Sequence, residues 1–231
     1  MTITGDNRPA TTGDPCRTSL YGHPSMDALV ARALRLAGAR RALLGIVGEP
    51  GAGKSTLAEQ LWARLEDERP GLAVAVSMDG FHLAQKVIEA RGQAARKGTI
   101  DTFDADGFLA LLRRTRLETD NSVWWPEFTR ELEDPVAGAI EVAARHRLVI
   151  VDGNFLLSTQ GSWRHVKGQL DETWFLDAAA GARRERLARR YIRYGFTPEA
   201  AHAKAGGVDE DTSALIRGTA SRADLALREV G

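Results

Sequence analysis

Eight residues constrain this chain more than any others: Gly48-Glu49-Pro50-Gly51-Ala52-Gly53-Lys54-Ser55 fits the phosphate-binding pattern G-x-x-x-x-G-K-[ST] at every fixed position. The run Ala42 to Val47 before it is apolar, and Leu57, Leu61 and Leu65 after it recur every fourth residue. The local reading is therefore buried strand, glycine turn, helix. A helix that opens directly after such a turn points unpaired backbone N–H groups and the positive end of its dipole at one spot, which suits a chain of phosphates. Gly48, Gly51 and Gly53 let the backbone approach phosphate oxygens where a Cβ would obstruct. In this reading Lys54 bridges the β- and γ-phosphates, Ser55 places its hydroxyl on Mg²⁺, and Thr56 reaches the α-phosphate. A dinucleotide fingerprint fails, because Thr56 stands where its third glycine belongs.

The rest of the chain supplies a setting for that turn. Met26, Leu29, Val30, Ala33, Leu34 and Leu36 follow Ser25 at helical spacing, which predicts an N-capped helix to about Arg41. Leu72 to Met78, Leu148 to Val151 and Thr173 to Leu176 read as three further buried strands between helical or polar segments. Strands alternating with helices predict an α/β fold of three layers, α/β/α, with a mostly parallel central sheet. With 231 residues, one domain is expected over residues 25–231, behind a loose, Thr/Gly/Pro/Asp-rich tail at residues 1–24.

Composition excludes several classes. Thirty-one basic and 31 acidic residues cancel, so the bulk field of a dedicated nucleic-acid binder is missing. Apolar runs fall short of the roughly 18 residues of a membrane span, and the N-terminus has no pattern of a secretory or transit peptide. The single cysteine, Cys16, cannot form an internal disulfide. A cytoplasmic protein is expected, with a small-molecule acceptor as partner, neither nucleic acid nor membrane, and a homodimer left open.

Two acids follow predicted strands. Asp79, in Ser77-Met78-Asp79-Gly80-Phe81-His82-Leu83, falls where ligands bind in open α/β sheets, and a carboxylate there can take the proton of an acceptor hydroxyl and help hold Mg²⁺. Asp152, at the end of a hydrophobic run, is a second candidate on the metal side. None of the five lysines has Asp two positions later, as a guanine-specificity motif requires, and Asp104 to Gly107 reads as a helix cap instead of a switch motif. These acids together with the loop favour a kinase. The rival reading is a nucleotide-dependent switch or assembly factor that has no small acceptor.

Four segments, GEPGAGKS, SMDGFHL, RKGTIDTFDADGF (Arg96 to Phe108) and VDGNFLL (Val151 to Leu157), resemble the phosphoribulokinase/uridine kinase/bacterial pantothenate kinase family of P-loop small-molecule kinases over about Ala42 to Leu227. The resemblance implies ATP and Mg²⁺ as cofactors, Asp79 as general base, and Asp152 near the metal in place of the usual Glu. Gly98 stands where uridine kinases carry an acid for the ribose diol, and Arg96-Lys97-Gly98 is closer to the pantothenate kinase segment. Nucleoside, pantothenate-like and sugar-type acceptors stay open, and the overall impression is closest to the nucleoside/nucleotide kinase-like or sugar-uptake kinase branch. Acceptor residues in this family fall in the segment Val123 to Arg130, which makes Trp125, Phe128 and Arg130 candidates for a pocket wall, joined by Phe81, His82 and Asp101; His82 is not the expected base. The helical run with Arg183, Arg186, Arg190 and Arg193 sits at the family's lid, about residues 180–210. Arg183 is assigned to the nucleotide there, and Arg186 and Arg190 to charge on the transferring phosphoryl group. The chain uses 26 Arg against 5 Lys throughout, so an arginine cluster is weak evidence by itself.

Overall fold

The computed structural model describes residues 24–228. The expected N-terminal tail and Cys16 lie almost wholly outside the described residues. Ser25 accepts a hydrogen bond from the Ala28 amide and starts α1 (Met26–Leu36), which buries Leu29, Val30 and Ala33. The helix stops five residues before the expected Arg41, and the reason is Arg41 itself. Its guanidinium is 3% exposed and donates to the carbonyls of Thr115 (2.9 Å), Glu118 (3.1 Å), Ala143 (2.8 Å) and His146 (3.0 Å), so the chain must leave the helix to aim it inward.

Next come β1 (Ala42–Gly48), α2 (Lys54–Glu68), β2 (Ala73–Ser77), a 3-10 turn over Met78–Phe81 and the short α3 (Gln85–Ala90). Asp104 caps α4 (Ala105–Leu117) through the Gly107 amide, as its sequence context predicts. The antiparallel hairpin β3 (Val123–Thr129) and β4 (Asp134–Val142) was not legible as such. Then follow β5 (Leu148–Gly153), β6 (Glu172–Asp177), the three helices α5 (Ala180–Arg193), α6 (Pro198–Gly206) and α7 (Val208–Arg217), and β7 (Leu225–Arg228).

Five strands form one parallel sheet in the order β2-β5-β1-β6-β7. Side chains alternate between its faces. Leu43, Val47, Val149 and Val151 meet Phe108, Leu112, Trp125 and Trp163 on one side, whereas Leu44, Ile46, Leu148 and Ile150 meet Leu29, Leu61 and Leu65 on the other. Cover on both faces explains why β1 and β5 are apolar without a break, and the expected three-layer α/β/α arrangement is the one observed. Because β5 is inserted between β2 and β1, the carboxyl ends of these three strands lie side by side, and that edge carries the glycine turn. No helix among the described residues is long and apolar enough to cross a membrane.

Arg41 ties the end of α4 to the segment between β4 and β5. Replacing it with Met removes a donor from four carbonyls, of which that of Ala143 keeps the His146 amide, and Arg41→Met is expected to lower the unfolding free energy by about 3 kcal/mol in urea denaturation; an unchanged midpoint would contradict this role.

Candidate active site

The turn between β1 and α2 has the conformation its glycines permit. Gly51 (φ +76°) and Gly53 (φ +94°) are in the left-handed region, and a Cβ on Gly51 would stand 2.6 Å from the Arg183 carbonyl oxygen. A Cβ on Gly48 would meet the Leu176 carbonyl at 2.7 Å. Glycine is thus required both by the backbone angles and by the closeness of α5 and β6. Beyond the turn, Lys54 opens α2, and its ammonium is buried with the Glu49 carbonyl as hydrogen-bond partner at 3.2 Å. Burial pulls its pKa down to about 8, although the Asp152 and Asp79 carboxylates oppose the fall. A space of about 170 Å³ in front of the turn is lined by Gly51, Gly53, Lys54, Ser55, Thr56, Arg186, Leu187 and Arg190. Backbone held open by glycine, a desolvated ammonium and two arginines suit a polyphosphate.

Asp152 belongs to β5, with Ile46 of β1 and Ser77 of β2 as its register partners on either side. Ser55 donates its hydroxyl proton to Asp152 Oδ2 at 2.7 Å. Burial raises the Asp152 pKa and the neighbouring Asp79 charge adds to the rise, while the Ser55 hydrogen bond and Lys54 pull it down. One hydroxyl and one carboxylate at this spacing fit Mg²⁺, which keeps waters and takes phosphate oxygens instead of an all-protein cage. Among the described residues no cluster of three or more His, Cys, Asp or Glu forms such a cage. Asp79 lies in the 3-10 turn after β2, its amide donating to Ser77 Oγ at 3.2 Å. The β3-β4 hairpin presses on that turn so closely that a Cβ on Gly80 would stand 2.3 Å from the Pro126 carbonyl oxygen. The sheet edge and the hairpin together set the position of Asp79.

Asp79 faces a second cavity, of about 490 Å³. His82, Phe128 and Arg130 line it, with Lys97 and Gly98 beside them. Arg130 lies 3.4 Å from Asp79 Oδ2, and its guanidinium packs over the Phe128 ring at 4.8 Å. His82 Nδ1 is 2.8 Å from the Asp79 carbonyl, which can only accept, so the proton is on Nδ1. Burial lowers the His82 pKa and keeps the ring neutral at pH 7. Three candidate wall residues are corrected. Trp125 is fully buried, donates its indole N–H to Thr115 Oγ1 at 2.8 Å and packs edge-on against Phe81 and Phe108, so it is core. Phe81 belongs to the same cluster. Asp101 is held by Thr99, Gln93 and Arg96 and does not line the cavity. The opposite wall escaped the sequence reading: Tyr191, Tyr194, Phe196, Lys204 and Asp209 come from α5, α6, α7 and the connection between the first two. Aromatics among arginines at the end of a charged helix were the available signal. Arg190 borders both spaces.

No protein-family model matches the chain. A Schizosaccharomyces pombe protein named "Putative uridine kinase C227.14" is 34% identical over 179 residues, covering 74% of this chain and 76% of that one. The chain belongs to the uridine kinase-like P-loop kinases. The crystal structure of a "putative fructose transport system kinase" from Silicibacter sp. TM1040 agrees, with a TM-score of 0.79 at 34% identity over 88% of this chain and 98% of that one. The Saccharomyces cerevisiae protein named "ATP-dependent kinase YFH7" is 25% identical over 169 residues, 58% of this chain and 48% of its own length. Its crystal structure shares the fold with a TM-score of 0.79, covering 90% of this chain and 100% of that one at 19% identity.

Within this P-loop kinase the loop is clamped from behind. Arg183, expected at the nucleotide, is 1% exposed and points away from that space. It pairs with Glu49 at 2.6 Å and donates to the Pro50 carbonyl (3.1 Å) and Ser213 Oγ (2.8 Å). Arg217 of α7 grips both oxygens of the same Glu49, at 3.1 and 2.9 Å. Glu49 and Arg183 are thus internal struts joining the loop to α5 and α7, while Arg186 donates to the Gly51 carbonyl at 3.1 Å. Arg193 borders neither cavity. Glu49→Gln leaves the buried Arg183 guanidinium with only its longer contact to Glu210, at 3.5 Å, and should destabilise the fold by about 3 kcal/mol. Arg217→Gln removes a half-exposed partner and should cost about 1 kcal/mol or less. Urea denaturation ranks the two, and the reverse order would refute the clamp.

Proposed function

We propose that the chain is an ATP- and Mg²⁺-dependent kinase that phosphorylates a hydroxyl of a small metabolite, of nucleoside, pantothenate-like or sugar type. The observation that carries this reading is the position of Asp79. Its carboxylate faces a metabolite-sized cavity, and it is close enough to Lys54 and Asp152 to perturb the pKa of both. The names of the yeast relatives support ATP and a phosphoryl transfer, and the glycine cradle, the buried Lys54 ammonium and the Ser55–Asp152 pair suit MgATP, which would supply an electrophilic γ-phosphoryl group.

On this reading Lys54 and the loop backbone hold the phosphates, and Ser55 and Asp152 hold the metal, with Asp79 as a further neighbour. Asp79 accepts the proton of the acceptor hydroxyl as the hydroxyl oxygen bonds to the γ-phosphorus of ATP and the bond from that phosphorus to the β-phosphate oxygen breaks, releasing ADP. Arg190, at the border of the two spaces, and Arg186 at the loop offset negative charge that builds up during transfer. The helices α5 and α6 form a lid that reduces water in the cleft, where it would compete with the alcohol.

Acceptor-stimulated ADP release tests the function. Asp79→Asn should lower kcat by about 100-fold or more while leaving nucleotide affinity near wild type. ADP release that no hydroxyl compound accelerates would favour a nucleotide switch. A second test uses the depressed Lys54 pKa. Phosphates favour the charged ammonium, so its pKa rises on binding, and raising the pH above about 8 makes the free protein surrender a proton that the complex must regain. Between pH 7 and pH 9 the Kd for MgADP should increase about tenfold, with proton uptake visible in calorimetry across buffers. A flat profile would remove Lys54 from phosphate binding.

A further inference from the structure

The cavity in front of Asp79 holds more cationic groups than phosphoryl transfer uses. Lys97, Arg130, Arg190 and Lys204 line it. Lys97 is already committed: its ammonium donates to Gln85 Oε1 (2.8 Å), the Glu133 carbonyl (2.7 Å) and Glu133 Oε2 (3.1 Å), which uses all three protons to close one wall. Arg190 borders the loop and serves the phosphates. Arg130 and Lys204 have no comparable engagement. Of five guanidinium N–H groups, Arg130 directs one at Asp79 over a long 3.4 Å, and its side chain is 34% exposed on the cavity wall. Lys204, on α6 across the cleft, has its ammonium over the Tyr191 ring at 5.2 Å.

The carboxylates lining the cavity do not balance this pair. Glu133 is taken by Lys97. Asp209 accepts the Tyr191 hydroxyl at 2.7 Å, and burial raises its pKa, a rise that the Lys204 and Arg190 charges offset only in part. Asp79 must turn to the acceptor hydroxyl to act as base, which loosens its contact with Arg130. The wall at Gly98 adds no acceptor, since a glycine has no side chain. Phe103 and Phe128 add apolar surface to the wall.

We propose that the acceptor is an anionic alcohol, bearing a carboxylate or a phosphate monoester, whose charged group binds Arg130 while Lys204 approaches from the lid. This rests on the kinase reading above. A guanidinium stacked on an aromatic ring presents its remaining donors in a plane that matches a carboxylate or phosphate edge. With the anion at Arg130, the hydroxyl of a short polyol chain falls near Asp79, because the two side chains are neighbours.

The test measures ADP release by the full chain with MgATP and matched pairs: glycerate against glycerol, gluconate against glucose, and ribose 5-phosphate against ribose. At least one charged member should exceed its neutral counterpart by about tenfold or more in kcat/KM. Which pair responds separates carboxylate from phosphate. Arg130→Gln should raise KM for that anion about tenfold and narrow the gap within the pair, and Arg130→Lys should restore part of it. Lys204→Gln should shift KM in the same direction by a smaller factor. A role confined to orienting Asp79 would instead slow both members of a pair equally. Preference for neutral members, or a charge preference untouched by Arg130→Gln, overturns the anionic acceptor and leaves the kinase intact. ATP turnover indifferent to these six compounds but stimulated by uridine overturns the anionic acceptor alone, and turnover indifferent to uridine and pantothenate as well overturns the kinase reading and this inference with it.

Discussion

The contact between the glycine turn and the inner side of α5 is the constraint on which the rest of the site depends. At Gly51 the loop passes so near the Arg183 carbonyl that no Cβ fits, and the Arg183 side chain reaches back to Glu49 and Pro50. A buried ion pair is not in general a source of net stability, because desolvation opposes the Coulombic gain. Here its effect is geometric. Arg183, once inside, pairs most closely with Glu49 at 2.6 Å and more distantly with Glu210 at 3.5 Å, and the shorter pair ties the loop to the helix carrying Arg186 and Arg190. The shape of the phosphate space and the arginines facing it therefore depend on this pair, together with Arg217 on Glu49 and Arg186 on the Gly51 carbonyl.

In front of that clamp, the electrostatics of the site are poorly satisfied by the protein alone. Burial depresses the Lys54 pKa and raises that of Asp152, opposite shifts that share one cause, the removal of water from both charged forms. A magnesium–phosphate complex reverses each: phosphate oxygens favour the ammonium and the metal favours the carboxylate. Such a site gains from its ligand what burial has taken from its side chains. On the far side of Asp79, stacked Arg130 and lid-borne Lys204 extend the same logic to the acceptor.

Much of this was legible in the sequence, and for physical reasons. Strands β1 and β5 are covered on both faces and so read as continuous apolar runs, and the glycine turn announces itself because its backbone angles and close contacts leave so few alternatives. The β3-β4 hairpin was hidden because most of β4 is exposed or half-buried, with small and charged residues and no strong alternation. Helical spacing put Arg183, Arg186 and Arg190 on one face but could not say which points into the core. Trp125 and Phe128 are near neighbours in one aromatic segment, yet residues three apart on a strand lie on opposite faces, so Trp125 faces inward and Phe128 lines the cavity. The lid wall of Tyr191, Tyr194, Phe196 and Lys204 depends on how three helices fold over the cleft, which no local pattern records.

Everything the site does depends on the turn from Gly48 to Ser55 gripping a polyphosphate. Isothermal titration of the full chain with magnesium and a nonhydrolysable ATP analogue tests it most directly. Saturable binding at one site, weakened about 100-fold or more in Lys54→Met, is the predicted result; no heat of binding to the wild type, or the same affinity in the variant, would contradict it.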